Sequence, residues 1–441
     1  MQVILFEYEM HPTTWFYLSS LMIIGIFFKF YRLFSVRNLD LLGLIAFTPG
    51  LLLIAHQQDA WGYAWLFTVG CGFLVRLLLD PIMVRRPLLE PNLNASGLTF
   101  TGAALLVFLI ANVITGRTFV GGSHDASGRA VPLEKILLTR AAEAKEGGLA
   151  DRGPGYPWFY DFADLSGLAA DSEAESDGPA EATLFRRDSA RTAAARTAAI
   201  LGHLAVVLGI VLIGYRHFDN LQTGVAAASL YLLLPYTSQM TGRVDHVIPA
   251  VFLVWAMEAY RRPLAAGILI GLAGGLIFYP LFLIPLWLGF YWQRGGGRFA
   301  VGVVSALLFL IGLSAFAPGH LGSFADQLQR MFGATSLPLE LPDGFWKNHE
   351  QAYRIPVLAG FLALCGGLAL WPAQKNLGTL LSCSAAVLLG AQFWHAHQGG
   401  LYMGWYLPLL VLTIFRPNLE DRVALTAVNE DWRIFRKTSE A

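Results

Sequence analysis

The side chains of this 441-residue chain that could do chemistry collect in a few short segments. Thr241-Gly242-Arg243-Val244-Asp245-His246 sets a guanidinium, a carboxylate and an imidazole side by side. Lys347 and Glu350 flank His349, Arg354 follows closely, and His395-Ala396-His397 is trailed by Gln398. His11, His56, Gln57, Gln58, Asp59, His124 and His320 complete the polar set. His395 and His397 could give a metal two ligands, and Asp245 with His246 two more. A zinc site needs a closed set of three or four ligands at tetrahedral geometry, and pairs at this spacing arise equally in ordinary loops. No metal site is therefore assigned, although a divalent cation remains open as a cofactor. The signatures of other chemistries are missing: there is no nucleophile elbow, no His-Glu-x-x-His and no dinucleotide fingerprint. Gly295-Gly296-Gly297 lacks the Lys-Ser/Thr of a phosphate cradle and reads as a turn.

These residues must be positioned by apolar elements. The chain is 55% hydrophobic and 14% charged, with a mean hydropathy of +0.52. Soluble domains carry roughly 25% charged residues, so a compact soluble enzyme and a disordered chain are both excluded. Thirty-one basic residues balance 31 acidic ones, which leaves no basic field to gather nucleic acid. Apolar segments lie near 14–31, 40–55, 61–79, 97–115, 198–215, 222–239, 247–260, 264–277, 279–292, 299–317, 356–372, 377–393 and 401–415. They predict an all-α fold, a polytopic transmembrane helix bundle of about thirteen spans with an outer polar insertion. Residues 264–291 are too long for one untilted span. Tyr279-Pro280 and Pro285 break the run, because proline removes a backbone donor and clashes with the preceding turn. A helix pair meeting at Tyr279-Pro280 is expected.

Orientation follows from the Lys and Arg in short loops. Lys29, Arg32, Arg37, Arg76, Arg85, Arg86, Arg216, Arg261, Arg262, Arg294, Arg298, Lys375, Arg416 and Arg422 fall on one side, whereas the short loops opposite carry Arg243. This bias predicts an integral, multi-pass protein of a bacterial-type inner membrane, with its N-terminus outside and its C-terminus cytoplasmic. Residues 1–80 read as a three-span module and 81–317 as a membrane core that includes an outer loop, 116–197. A second outer loop covers 318–355, a second three-span module 356–416, and a cytoplasmic tail 417–441. Within the first loop, 133–146 reads as an amphipathic surface helix, 153–162 as an aromatic turn-rich stretch, and 171–181 as an acidic disordered one. The first apolar run has no basic region before it and no small-residue cleavage site, so it is read as retained. Cys71, Cys365 and Cys383 lie in apolar runs and behave as small hydrophobes.

Ionisable groups at mid-membrane are expensive and usually functional, and here the centre is nearly empty of them. Arg76 and Asp80 form an i,i+4 pair at a helix end. Glu258 is expected to face Arg261 and Arg262, and His203 to be hydrogen-bonded within the core. The polar outer side is where an outward-facing site would lie.

Residues 192–292 carry a resemblance. Arg196 opens a span ending at Tyr215-Arg216-His217, and a small-residue span then ends at Pro235. The loop Thr241–His246 leads into a span closed by Arg261-Arg262-Pro263, and a Gly267/Gly271/Gly275 span runs into Tyr279-Pro280. This order resembles the core of the GT-C superfamily, polytopic glycosyltransferases that use polyprenyl-phosphate sugars, with the mannosyltransferase branch closest in flavour. The resemblance implies that the 116–197 loop carries the catalytic carboxylate, with Asp125, Asp161 and Asp164 as candidates. It implies that Arg243, Arg354 and Lys347 neutralise a lipid phosphate. Substrate contacts would come from Asp245, His246, Tyr279, His395 and His397, and the implied partners are the lipid bilayer and a polyprenyl-phosphate sugar. Phe278 stands where the family has a basic residue, and Ser123-His124-Asp125 replaces its tandem acidic signature. A non-catalytic scaffold or assembly protein is therefore the alternative. A transporter or lipid flippase ranks third, since mid-membrane polar groups are lacking.

Overall fold

The computed structural model describes residues 12–83, 90–115, 180–316, 344–395 and 399–428. Among the described residues the chain is helical, with one isolated antiparallel bridge, Asn376 to Val423, and no named strand. Helix is the form in which an apolar segment satisfies its own backbone N–H and C=O groups without water. The first four helices are α1 (Pro12–Phe27), α2 (Val36–Ala55), α3 (Asp59–Leu79) and α4 (Ala95–Thr115). Next come α5 (Ala180–Arg216), α6 (Leu221–Leu233), the short α7 (Pro235–Gln239) and α8 (Val244–Glu258). α9 (Pro263–Leu276), α10 (Ile284–Tyr291) and α11 (Gly296–Phe316) precede α12 (Arg354–Leu370), α13 (Leu377–Trp394), α14 (Leu407–Phe415) and α15 (Ala424–Ala427).

Each apolar segment of the sequence contains a helix. Six stretches are long and apolar enough to cross a membrane: Val36–Ala55, Asp59–Ile82, Ala95–Ile114, Arg196–Arg216, Gly296–Leu313 and Leu377–Trp394. By length and composition six crossings are supported among the described residues, and shorter apolar helices such as Thr13–Phe27, Leu221–Leu233 and Arg354–Leu370 accompany them. Breaks shorten the others. α9 stops at Leu276, a 3-10 turn spans Tyr279–Leu283, and α10 starts at Ile284, so a helix pair does meet at Tyr279-Pro280.

Burial separates a central post from an outer fence. In α13, 89% of the apolar window is buried inside the protein, against 17% in α4, where Phe100 and Val107 are exposed. An apolar helix that exposes large apolar side chains requires a nonpolar surrounding, which fits a lipid environment. The Gly267/Gly271/Gly275 stripe of α9 packs on α11. A Cβ at Gly271 would stand 2.8 Å from the Val303 carbonyl oxygen, and one at Gly267 would strike the Phe299 carbonyl. The small residues thus serve close helix approach.

The basic residues gather at one end of the bundle. There Asn38 ties the α1–α2 turn, its amide donating to the Lys29 and Arg32 carbonyls at 2.9 Å each. Arg76 holds Asp80 at 3.0 Å, and it also binds both oxygens of Asp40, at 2.8 and 2.9 Å. Asp80, fully buried, accepts from Arg416 at 2.5 and 3.1 Å. The expected pair is therefore the middle of a chain of four charges joining α2, α3 and the end of α14. Glu258 corrects the sequence reading: it pairs with Arg216 at 2.5 Å, while Arg261 lies over the Tyr260 ring. The helix gives way to a 3-10 turn, Ala259–Arg261, immediately after Glu258, so helical spacing no longer brings Arg261 and Arg262 back to it.

Removing one partner of a buried ion pair leaves an uncompensated charge. Asp80→Asn is expected to cost about 3–5 kcal/mol, read as a lowered thermal midpoint of the purified protein in detergent. An unchanged midpoint would refute the structural role given to this chain of charges.

Candidate functional site

At the opposite end, the turn between α7 and α8 carries Arg243, Asp245 and His246. Pro235 starts α7 and Asp245 sits in the first turn of α8, where a carboxylate is favoured by the positive end of the helix dipole. Arg243 donates from Nε and Nη2 to the two Asp245 oxygens, both at 3.2 Å, and the pair is buried. His246 Nε2 lies 3.8 Å from Asp245 Oδ2, and its Nδ1 meets the Tyr236 hydroxyl. A guanidinium, a carboxylate and an imidazole are thus held as one unit.

His395 and the segment 399–405 lie against that unit. The Tyr402 ring lies 4.8 Å from His246 and 5.0 Å from His395, and it stacks on Trp405 at 4.6 Å. Tyr279, in the turn between α9 and α10, lies 4.8 Å from His395 and 5.3 Å from Trp405. Trp405 Nε1 donates to the Asp245 carbonyl at 3.2 Å. Gly404 permits the approach, because a Cβ there would stand 2.8 Å from the His246 carbonyl oxygen. The result is an aromatic box built from the α8 turn, the α9–α10 break and the α13–α14 connection, seated on a buried ion pair. The rings are in contact with one another, and Tyr402, at 9% exposure, is the least buried of them.

Of the residues singled out from sequence, Arg243, Asp245, His246, Tyr279 and His395 converge here. Arg354 opens α12 and donates from Nε to the Trp394 carbonyl at 3.2 Å, fixing the residue before His395. Lys347 is exposed in the 3-10 turn Gly344–Asn348, which docks on α13 through Trp346 Nε1 and the Phe393 carbonyl at 3.0 Å. Asp125, Asp161, Asp164 and His397 lie outside the described residues, as does the 133–146 segment. Among the described residues no three His, Cys, Asp or Glu side chains gather to hold a metal. Sequence reasoning passed over Tyr236, Tyr402 and Trp405, three walls of the box. The dense aromatics of Tyr402-Met403-Gly404-Trp405-Tyr406 after an apolar helix were the available signal.

His203 is bonded in the core below this turn. Its Nε2 lies 3.1 Å from the Thr241 carbonyl, an acceptor, so Nε2 carries the proton, and Nδ1 accepts from the Tyr231 hydroxyl at 3.3 Å. This neutral histidine braces the turn and leaves no nitrogen for chemistry.

Comparison with family models, curated proteins and solved structures finds no match for this chain.

Gly404→Val should force the Met403–Trp405 turn off the His246 backbone. The expected cost is about 1–3 kcal/mol, typical of overpacking a tight contact, measured as a fall in thermal midpoint together with altered near-ultraviolet circular dichroism from the aromatic box. A variant identical to the parent in both would show that this approach is not tight.

Proposed function

We propose that this protein is a membrane glycosyltransferase that moves a sugar from a polyprenyl-phosphate donor to an acceptor at the end of the bundle bearing Arg243, Asp245 and His246. The observation that carries the reading is convergence. Residues singled out in the α7–α8 turn, at Tyr279 and at His395 meet in one buried, aromatic, charged cluster. The Lys and Arg bias assigns this end to the outside, where such a donor would be presented.

In this reading Tyr402, the least buried of the three rings, meets a C–H face of the sugar, with Trp405 and Tyr279 stacked behind it. The acceptor oxygen bonds to the anomeric carbon as the bond from that carbon to the phosphate oxygen breaks, and the phosphate leaves with the electron pair. Arg243, with Arg354 and Lys347, meets the growing negative charge. A carboxylate among Asp125, Asp161 and Asp164 takes the acceptor's proton as general base. Asp245 orients Arg243 and keeps its charge in place within a buried setting.

A second reading is a non-catalytic scaffold that retains the architecture. It is favoured by the engagement of both Asp245 oxygens with Arg243, which spends those charges on each other.

The test is transfer from radiolabelled polyprenyl-phosphate sugars by the protein reconstituted in liposomes. Activity should fall about 10²-fold or more when the base is lost, in one of Asp125→Asn, Asp161→Asn or Asp164→Asn, and also in Arg243→Gln. Equal turnover in all three carboxylate variants would overturn the base assignment. Absence of transfer from any such donor, with the protein folded, would transfer the reading to the scaffold.

A further inference from the structure

The basic end of the bundle holds a cavity of about 620 Å³ between the end of α5, the turn leading into α6, and the α8–α9 turn. Its polar walls are Arg216, His217, Asp219, Glu258, Arg261 and Arg262. The charges in it are not balanced. Arg216 is taken by Glu258 at 2.5 Å, and Asp219 by Arg422 at 2.9 Å. Arg261 and Arg262 form no ion pair among the described residues, and both are exposed to the cavity mouth. Two positive charges are left over on one wall.

Backbone adds to this field. α6 begins at Leu221 and α9 at Pro263, so two helix N-termini border the cavity, and each carries the positive end of a helix dipole. His217 contributes no charge of its own. Its Nε2 lies 2.8 Å from the Glu258 carbonyl, and it therefore donates the ring proton there. Burial, chiefly, holds the imidazole below its ordinary range, the hydrogen bond to Glu258 works against that, and Arg261 and Arg422 add to the lowering. The ring is 3% exposed, and its Nδ1 has no hydrogen-bond partner among the described residues.

The rim fixes the depth. Tyr215 and Leu221, both lining residues, are 60% and 53% exposed, an aromatic and an aliphatic group directed out of the protein beside a charged wall. Trp292, at the end of α10 beside the basic turn, is also exposed. Tyr and Trp at this position mark the boundary between hydrocarbon and headgroups. Basic pockets between helices at that level suit phosphate headgroups.

We infer that this cavity is a binding site for a phosphate group carried at the membrane boundary, the headgroup of an anionic phospholipid, held by the exposed guanidiniums of Arg261 and Arg262. The site lies at the end of the bundle remote from the Arg243 cluster and does not depend on the function proposed for that cluster.

The experiment uses the full chain in detergent, with phosphatidylglycerol, phosphatidylcholine and inorganic phosphate as separate probes. Bound lipid is counted by native mass spectrometry and affinity is read from the thermal shift. Phosphatidylglycerol should bind and stabilise the parent protein, phosphatidylcholine and inorganic phosphate much less. The Arg261→Gln/Arg262→Gln variant removes two exposed guanidiniums that form no ion pair among the described residues, Arg261 touching Tyr260, and it should weaken phosphatidylglycerol about tenfold or more, as expected when charge-assisted hydrogen bonds are lost. Arg32→Gln, at the same end but outside the cavity, controls for general surface charge and should bind as the parent does. Equal binding by the double variant and the parent would overturn the site. An equal loss in Arg32→Gln would overturn it too, because the effect would then be a diffuse surface potential. Inorganic phosphate binding as tightly as the lipid would overturn the lipid assignment and make the ligand a soluble phosphate.

Discussion

Four charges, Asp40, Arg76, Asp80 and Arg416, are joined in sequence at the basic end of the bundle, all buried except the partly buried Arg76. Each alone would be costly to take out of water, and together their signs alternate, so every charge meets its opposite. The constraint reaches far, because Arg416 is the residue that follows α14 and Asp40 and Asp80 belong to the first three helices. Fixing Arg416 fixes α14, and α14 in turn presents Tyr402 and Trp405 at the far end to the turn of Asp245. The geometry of the outer cluster thus rests on an electrostatic clasp at the opposite end of the same helices.

Between those ends, packing is carried by small residues and aromatic plates rather than by polar groups. Gly271 and its neighbours let α9 lie against α11 at backbone distance, and Trp287 stacks on Phe299 between α10 and α11. In a lipid surrounding, close van der Waals contact replaces the hydrophobic drive that assembles helices in water. Polar chemistry is thereby confined to the two ends. One end gathers guanidiniums around a cavity, and the other sets the Arg243–Asp245 pair beside stacked aromatic rings.

What the sequence made legible were features with local causes. The Tyr279-Pro280 break, the glycine stripe, the Arg76–Asp80 pair and the segregation of Lys and Arg each follow from a rule that spans a few residues, and each has its counterpart in the fold. The number of membrane-length helices was not legible, since an apolar run says nothing of where Gly and Pro will halt the helix inside it. The partners Asp40 and Arg416 were hidden for another reason: they stand 36 and 336 positions from the residues they bind. Glu258 shows how local reasoning errs, because one 3-10 turn redirected the neighbouring arginines and handed the carboxylate to Arg216. At the outer cluster, Arg243, Asp245 and His246 were visible as a charged run. Tyr236 and Tyr402 were not, because an aromatic residue in an apolar protein carries no mark until its ring is seen against an imidazole.

The burial of α13 has a consequence for the order of assembly. This helix is the post around which α3, α10, α12 and α14 stand, yet it leaves the ribosome after nearly every element it supports. The earlier helices must therefore wait in the bilayer with a vacant centre, and Asp80 must wait for Arg416. Without α13 and Arg416, the helices made before them would keep an unfilled groove and an unanswered carboxylate.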